Sequence, residues 1–383
     1  DESKQVNSHG VFNIEDMRIL PLRFIKRGKS IERSEDWDYL PSELRRKMEK
    51  GYVPVTVSPT SKLAEKARYF VLAPIGYQSQ GEGNGNTSYE PLFGRSGVLL
   101  KRESDDTLSA IAANIEGKEF LLRIKGHGMA TGGYGQWLHI GGAPRLLGAI
   151  EEGEAQFEFM SLELRRGGSR FMEGLTPRAA GNVYFHGKDQ KGKQTQQAIH
   201  FAWIPTDNRA HWYGNPALQE VTQSHANEMT ISYGREIGEL LALPIPLFPW
   251  RSATLDNVTH SGGGNYALID NATILPLYAA DSNEIDYWMS NQLKIIFWST
   301  QIDLGDRKNY SGAQFLNALG KTLLDAGKIQ LNQFSDILDV TSLSGLIGFL
   351  KRSFLAKQLL RNRLRYGFYP VEFIHSIEEM IAY

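Results

Sequence analysis

The sequence predicts an α+β protein of two lobes, a small strand-rich one followed by a larger helical one. Two observations carry that expectation. Short apolar runs at strand spacing fill residues 94–204 and enclose a single helical stretch. From about residue 216 onward the texture is mostly helical.

In chain order, residues 1–92 are expected to form an N-terminal extension and linker. Within it, E-D-W-D-Y-L-P-S-E-L-R-R-K-M-E-K reads as a turn into an amphipathic helix. The polar, glycine-rich stretch Q-S-Q-G-E-G-N-G-N-T-S (78–88) reads as a flexible loop. The small lobe is placed at 93–215. S-G-V-L-L-K-R, L-S-A-I-A-A-N-I and E-F-L-L-R-I-K are its first strands, and N-V-Y-F-H and A-I-H-F-A-W-I its last. Between them, Leu146, Leu147, Ile150, Phe157, Met160 and Leu164 recur at helical spacing, which predicts a helix across Gly141 to Arg166. The large lobe is placed at 216–383, with a strand-like pair around S-G-G-G-N. It closes on a basic helix at about 343–365 whose cationic face is expected to be solvated.

Composition excludes several classes of chemistry. With 383 residues, 41% of them hydrophobic, the chain can bury one large core or two ordinary ones. A net charge of -1 offers no global attraction to nucleic acid. There is no cysteine, hence no disulfide, thiolate metal site or cysteine nucleophile. No apolar run reaches the roughly 18–20 residues of a membrane span.

Phosphate-transfer chemistry needs charge neutralisation more than covalent catalysis, and the sequence offers candidates for each role. Lys125 ends the strand E-F-L-L-R-I-K and is followed by G-H-G, so its ammonium group can reach a cleft lined by close backbone. Glu151, Glu154 and Glu158 in the next helix share a face, and any of them could pair with Lys125. The segment W-R-S-A-T-L-D-N, Trp250 to Asn257, follows the kinase pattern H-R-D-x-x-x-x-N, and Asp270 lies where the D-F-G aspartate would stand. Asn257 and Asp270 are therefore the expected Mg²⁺ ligands, both hard-oxygen donors. Ser252 occupies the place of the usual catalytic aspartate. No H-E-x-x-H, G-x-S-x-G or P-loop pattern is present.

These residues resemble the SelO protein adenylyltransferases, a pseudokinase-fold family. The family's K-G-x-G-x-T-P-Y is similar to K-G-H-G-M-A-T-G-G-Y from Lys125 to Tyr134. Its nine-residue interval from helix arginine to lysine-pairing glutamate matches Arg145 to Glu154, which singles out Glu154. Its P-T-T-R-A-L resembles L-T-P-R-A-A with Arg178, and its A-M-L-x-R-V-A-P-S-H-x-R resembles A-I-H-F-A-W-I-P-T-D-N-R with Arg209. Its H-G-V-M-N-T-D-N resembles W-R-S-A-T-L-D-N, which also lacks the usual base. The likeness covers about residues 118–275. Ala202 stands where the family has an arginine, and D-N-A where it has D-Y-G.

The resemblance implies a kinase-like fold that binds ATP and Mg²⁺ and transfers AMP to a hydroxyl of an acceptor protein. It assigns phosphate contacts to Lys125 and Arg209, with Glu154 orienting the lysine and Arg178 also in the nucleotide site. Asn257 and Asp270 take the metal and Asp256 is the candidate base. A glycine-rich loop should precede the lysine strand; F-G-R-S-G-V with Arg95 is the candidate. Phosphoryl transfer, carboxylate adenylation and an inactive ATP-binding scaffold are the alternatives. The expected compartment is the cytoplasm, with a secreted effector as the second choice.

Overall fold

The computed structural model describes residues 17–57, 62–74, 96–126, 137–140, 143–146, 149–168, 176–188, 193–205, 223–243, 247–249, 258–260, 266–268, 274–276 and 308–328. The chain divides into two compact units. One comprises Asp1–Met160 with Pro177–Asn208, the other Ser161–Thr176 with Arg209–Tyr383. Together they give a mixed α/β protein with one large antiparallel sheet and four α-helices among the described residues.

The first unit is built on that sheet. Its strands are β1 (Met17–Lys26), β2 (Lys29–Arg33), β3 (Tyr52–Thr56), β4 (Tyr69–Pro74), β5 (Ser96–Arg102), β6 (Leu108–Ala110), β7 (Ala112–Ile115) and β8 (Lys118–Lys125). After the separate hairpin β9 (Trp137–Ile140) and β10 (Ala143–Leu146) come β11 (Ile150–Glu151), β12 (Arg178–Lys188) and β13 (Gln194–Ile204). The spatial order is β2-β12-β13-β8-β5-β4-β1-β3, with β6, β7 and β11 pairing to β5, β8 and β13. Strands from residues 17–74, the expected extension, thus continue the same sheet as the lysine strand.

Strict alternation explains both faces. In β8, Phe120, Leu122 and Ile124 enter the main hydrophobic core, and in β13 Ile199, Phe201 and Trp203 do the same. That face is closed by the 3-10 turn Glu35–Tyr39 and by helix α1 (Ser42–Glu49), whose Leu44 and Met48 are buried at i and i+4. Ser34 caps the turn, its hydroxyl accepting from the Asp36 amide at 3.1 Å. Trp37 then meets Phe201 edge to face at 6.2 Å.

The opposite parity carries Arg123, Lys125, Asn182 and His200, all buried. Helix α2 (Glu152–Gly168) follows β11 and supplies that face with Ala155, which clusters with Ile150, Tyr184 and Ala198. The helix expected across Gly141 to Arg166 is therefore shorter at its start. Residues 143–146 are a strand, paired Pro144 to His139 and Arg145 to Leu138. Gly-Gly-Ala-Pro at 141–144 explains the difference, because glycine and proline oppose helix formation more strongly than leucine spacing favours it.

In the second unit, α3 (Gln223–Ala242) packs on α4 (Lys308–Asp325). Leu240, Leu241, Leu319 and Leu323 are buried, and a Cβ at Gly238 would come within 2.8 Å of Thr322 Cβ. Buried Arg165, late in α2, is ion-paired with Glu236 of α3. Two ribbons complete the description: β14 (Leu247–Pro249) with β17 (Ile274–Pro276), and β15 (Val258–His260) with β16 (Tyr266–Leu268). The basic stretch 343–365 lies outside the described residues. No helix among those described is long and apolar enough to cross a membrane.

Candidate functional site

Lys125 is the last residue of β8, and the chain turns immediately beyond it. Gly126 has φ +88°, and a Cβ there would stand 2.9 Å from the Ala198 carbonyl oxygen. Only glycine meets both demands, so the lysine strand stops where β13 and the residues before α2 crowd in.

Cross-strand register places Lys125 in a row of polar residues. Ser96 pairs with Lys125, Lys125 with His200, His200 with Asn182, and Asn182 with Glu32. Five neighbouring strands contribute one residue each to this row.

Helix α2 answers the row with two carboxylates. Lys125 Nζ lies 2.8 Å from Glu154 Oε1 and 2.8 Å from Glu158 Oε2. The other oxygen of Glu158 accepts from Arg123 Nη1 at 3.3 Å, and Arg123 Nε donates to Ser96 Oγ at 2.5 Å. Arg123 and Lys125 are two apart in β8 and so share its buried polar face. The Glu158 side chain is fully buried and that of Lys125 is 5% exposed, whereas Glu154 is 28% exposed. Two cations thus face two anions in a nearly dry layer, where charges must be paired to be tolerated.

The row continues through His200, whose Nδ1 lies 2.7 Å from Asn182 Oδ1. Asn182 Nδ2 donates to the Ala155 carbonyl at 3.0 Å and to Glu32 Oε2 at 3.0 Å. Those two acceptors fix the amide's orientation, so Nδ1 of His200 is the donor to Oδ1. His200 Nε2 then faces Glu158 Oε1 at 4.0 Å. At the far end the Tyr184 hydroxyl donates to Glu32, and its pKa is raised by burial first and by that hydrogen bond second.

Of the residues singled out from sequence, the structure brings together Lys125 and Glu154. It adds Glu158, which sequence left as one of three choices, and Arg123 and His200, which it did not select. The available signal was parity: Arg123, Lys125 and His200 occupy alternate positions in otherwise apolar strands. Arg178 is placed elsewhere. Its Nε lies 2.7 Å from Asp36 Oδ2 and its Nη1 2.9 Å from Glu116 Oε2, and it pairs with Trp203, three residues along β13 from His200. With carboxylates bonded along two edges of its guanidinium, Arg178 is a clamp between the 3-10 turn, the β7–β8 turn and β12. Arg95, Arg209, Asp256, Asn257 and Asp270 lie outside the described residues. The hairpin between the two expected metal ligands is formed, Val258 pairing with Leu268. Among the described residues no cluster of three His, Asp or Glu side chains could hold a metal ion.

Comparison with models of known protein families gives no match, nor does comparison with curated proteins. Solved structures give low-scoring neighbours. One is "WaaP in complex with acyl carrier protein", at 12% identity and TM-score 0.32, covering 72% of this chain and 94% of that one. Another is "L. pneumophila effector kinase LegK7 in complex with human MOB1A", at 10% identity and TM-score 0.32, covering 75% and 58%. At these scores neither neighbour decides the fold. The ion cluster on β8 and α2 stands on its own geometry.

Proposed function

We propose that the chain is an ATP- and Mg²⁺-dependent transferase of kinase-like fold that moves AMP to a hydroxyl of an acceptor protein. One observation carries the reading: a buried lysine at the end of a central strand, held by carboxylates of the helix that follows it. In kinases a strand lysine held by a helix glutamate contacts the phosphates of ATP. An ammonium group oriented this way offers its charge where phosphate oxygens gather negative charge, with no reorganisation at the moment of reaction.

In this reading Lys125 binds the phosphates, aided by Arg209 and by Arg95, which directly precedes Lys125's cross-strand neighbour Ser96. Asn257 and Asp270 hold Mg²⁺, to which an amide and a carboxylate oxygen are suited. The metal supplies charge neutralisation on the phosphate chain. Asp256 accepts the proton of the acceptor hydroxyl, a role that Ser252 cannot fill. The acceptor oxygen forms a bond to the α-phosphorus as the bond to the β-phosphate bridge breaks, and pyrophosphate leaves. Lys125, Glu154, Asn257 and Asp270 suit γ-phosphoryl transfer equally well, and the likeness of segment 250–257 to a family that transfers AMP favours this route.

Incubating the protein with α-³²P-ATP and, separately, γ-³²P-ATP tests the reading. Label on protein from the α position alone is the expected result. Label from γ alone would make the chain a kinase. Binding of ATP with no transfer would make it a scaffold.

A further inference from the structure

The two carboxylates on Lys125 are not equivalent. Each oxygen of Glu158 belongs to a different cation, Oε1 to Arg123 and Oε2 to Lys125, and its side chain has no exposure to solvent. Moving it would take a buried anion from both strand cations at once. Glu154 meets the same Lys125 nitrogen from one turn earlier in α2, but its side chain is 28% exposed. Water can take over its carboxylate when it lets go. Arg123 in turn is fixed by its bond to Ser96, the first residue of β5, and has Val98 and small Ala202 as cross-strand neighbours.

We propose that Arg123 is a positioning residue that locks Glu158 onto Lys125, while Glu154 is the exchangeable partner displaced when a polyphosphate reaches the lysine. Arg123 lies within the sheet and acts on the reaction through Glu158. The proposal deepens the reading of this site as a nucleotide site, on which its choice of ligand rests. A phosphate oxygen would take the place on Lys125 Nζ that Glu154 Oε1 holds.

The test uses the full chain with two probes, ATP·Mg²⁺ and inorganic tripolyphosphate, which carries the anionic chain without the nucleoside. Calorimetry gives affinities, and α-³²P labelling gives kcat and KM. Removing the competing carboxylate in Glu154→Gln is expected to tighten tripolyphosphate and ATP by about threefold or more. Arg123→Met is expected to lower kcat about tenfold or more with a smaller change in KM, because the lysine is present but misaligned. Arg123→Lys keeps the charge and should recover part of that loss, which also serves if the methionine variant folds poorly. Weaker tripolyphosphate binding in Glu154→Gln, or an unchanged kcat in well-folded Arg123→Met, would overturn the proposal. Tighter tripolyphosphate binding in Glu154→Gln without nucleotide transfer by the parent would keep the exchange and sink the AMP-transfer reading instead. A parent that binds neither probe overturns both.

Discussion

Lys125 Nζ and Glu158 Oε2 lie 2.8 Å apart although 33 residues separate them in the chain. The contact joins the end of β8 to the second turn of α2. Because Arg123 shares the same carboxylate, removing Glu158 takes a buried anion from two cations at once and leaves Lys125 with the partly exposed Glu154. Glu158→Ala should therefore cost about 3–5 kcal/mol of stability, the usual penalty for breaking a buried pair. The control is Glu49→Ala, which removes the exposed Arg33–Glu49 bridge and should cost no more than about 1 kcal/mol. Urea denaturation of both variants gives the comparison. Equal losses would show that the buried cluster contributes no more than a surface pair.

Tyr69 provides a pH prediction away from the cluster. Its hydroxyl donates to Glu43 Oε2 at 3.0 Å, and Arg68 bridges the same carboxylate at 2.8 Å. Burial first, and the hydrogen bond to Glu43 second, push the phenol pKa up to about 12. An unfolded tyrosine titrates near 10, so between pH 10 and about 12 the folded chain holds a proton that the unfolded chain has lost. The stabilisation is complete below pH 10 and fades as pH rises toward 12. Tyr69→Phe should remove that part of the alkaline decline. The difference phenolate absorbance between parent and variant should also titrate near pH 12; a midpoint near 10 would refute the assignment.

How far the sequence foretold these features depends on how local their causes are. The strand ending in Lys125 was legible because Phe120, Leu121, Leu122 and Ile124 form one short apolar run that closes on a charged residue. The choice between Glu154 and Glu158 was not, since i and i+4 share a helix face and the answer depends on where β11 delivers the start of α2. The family resemblance places Arg178 in the nucleotide site through its local motif. Its partners Asp36 and Glu116 arrive from 142 and 62 residues away, beyond the reach of any local pattern. The interval from Arg145 to Glu154 keeps a family count yet runs from a strand into a helix, so equal spacing did not mean equal structure. The residues of the expected metal site lie outside those described, and only the β15–β16 hairpin between them is seen.

Gly181 tests the packing of the apolar face. It sits where the register of β12 against β13 shifts, and a Cβ there would fall 2.5 Å from the Trp37 ring and 2.6 Å from the Glu32 carbonyl oxygen. Trp37 is buried in the main core, so neither neighbour can withdraw cheaply. Gly181→Ala should destabilise by about 1–3 kcal/mol, the range for overpacking. Gly153, in the first turn of α2, has nothing within 4 Å of its built Cβ. Gly153→Ala should instead be stabilising by about 0.4–1 kcal/mol, through the reduced freedom of the unfolded chain. Melting temperatures moving in the same direction for the two variants would contradict this account.

Asp270 is where the proposed chemistry is most exposed to test. A carboxylate that holds Mg²⁺ against a triphosphate contributes to transfer through the metal and little to packing. Asp270→Ala should reduce α-³²P labelling by at least about 100-fold, more than outer-sphere changes cost at metal sites. Asn257→Ala should lower labelling less at saturating Mg²⁺ and raise the Mg²⁺ concentration needed for half-maximal rate, because an amide oxygen is the weaker donor. Circular dichroism of both variants should match the parent, since a side chain that serves to hold a metal contributes little to secondary structure. Labelling of Asp270→Ala at the parent's rate and Mg²⁺ dependence would remove the metal from this position and, with it, the kinase-like assignment of residues 250–270.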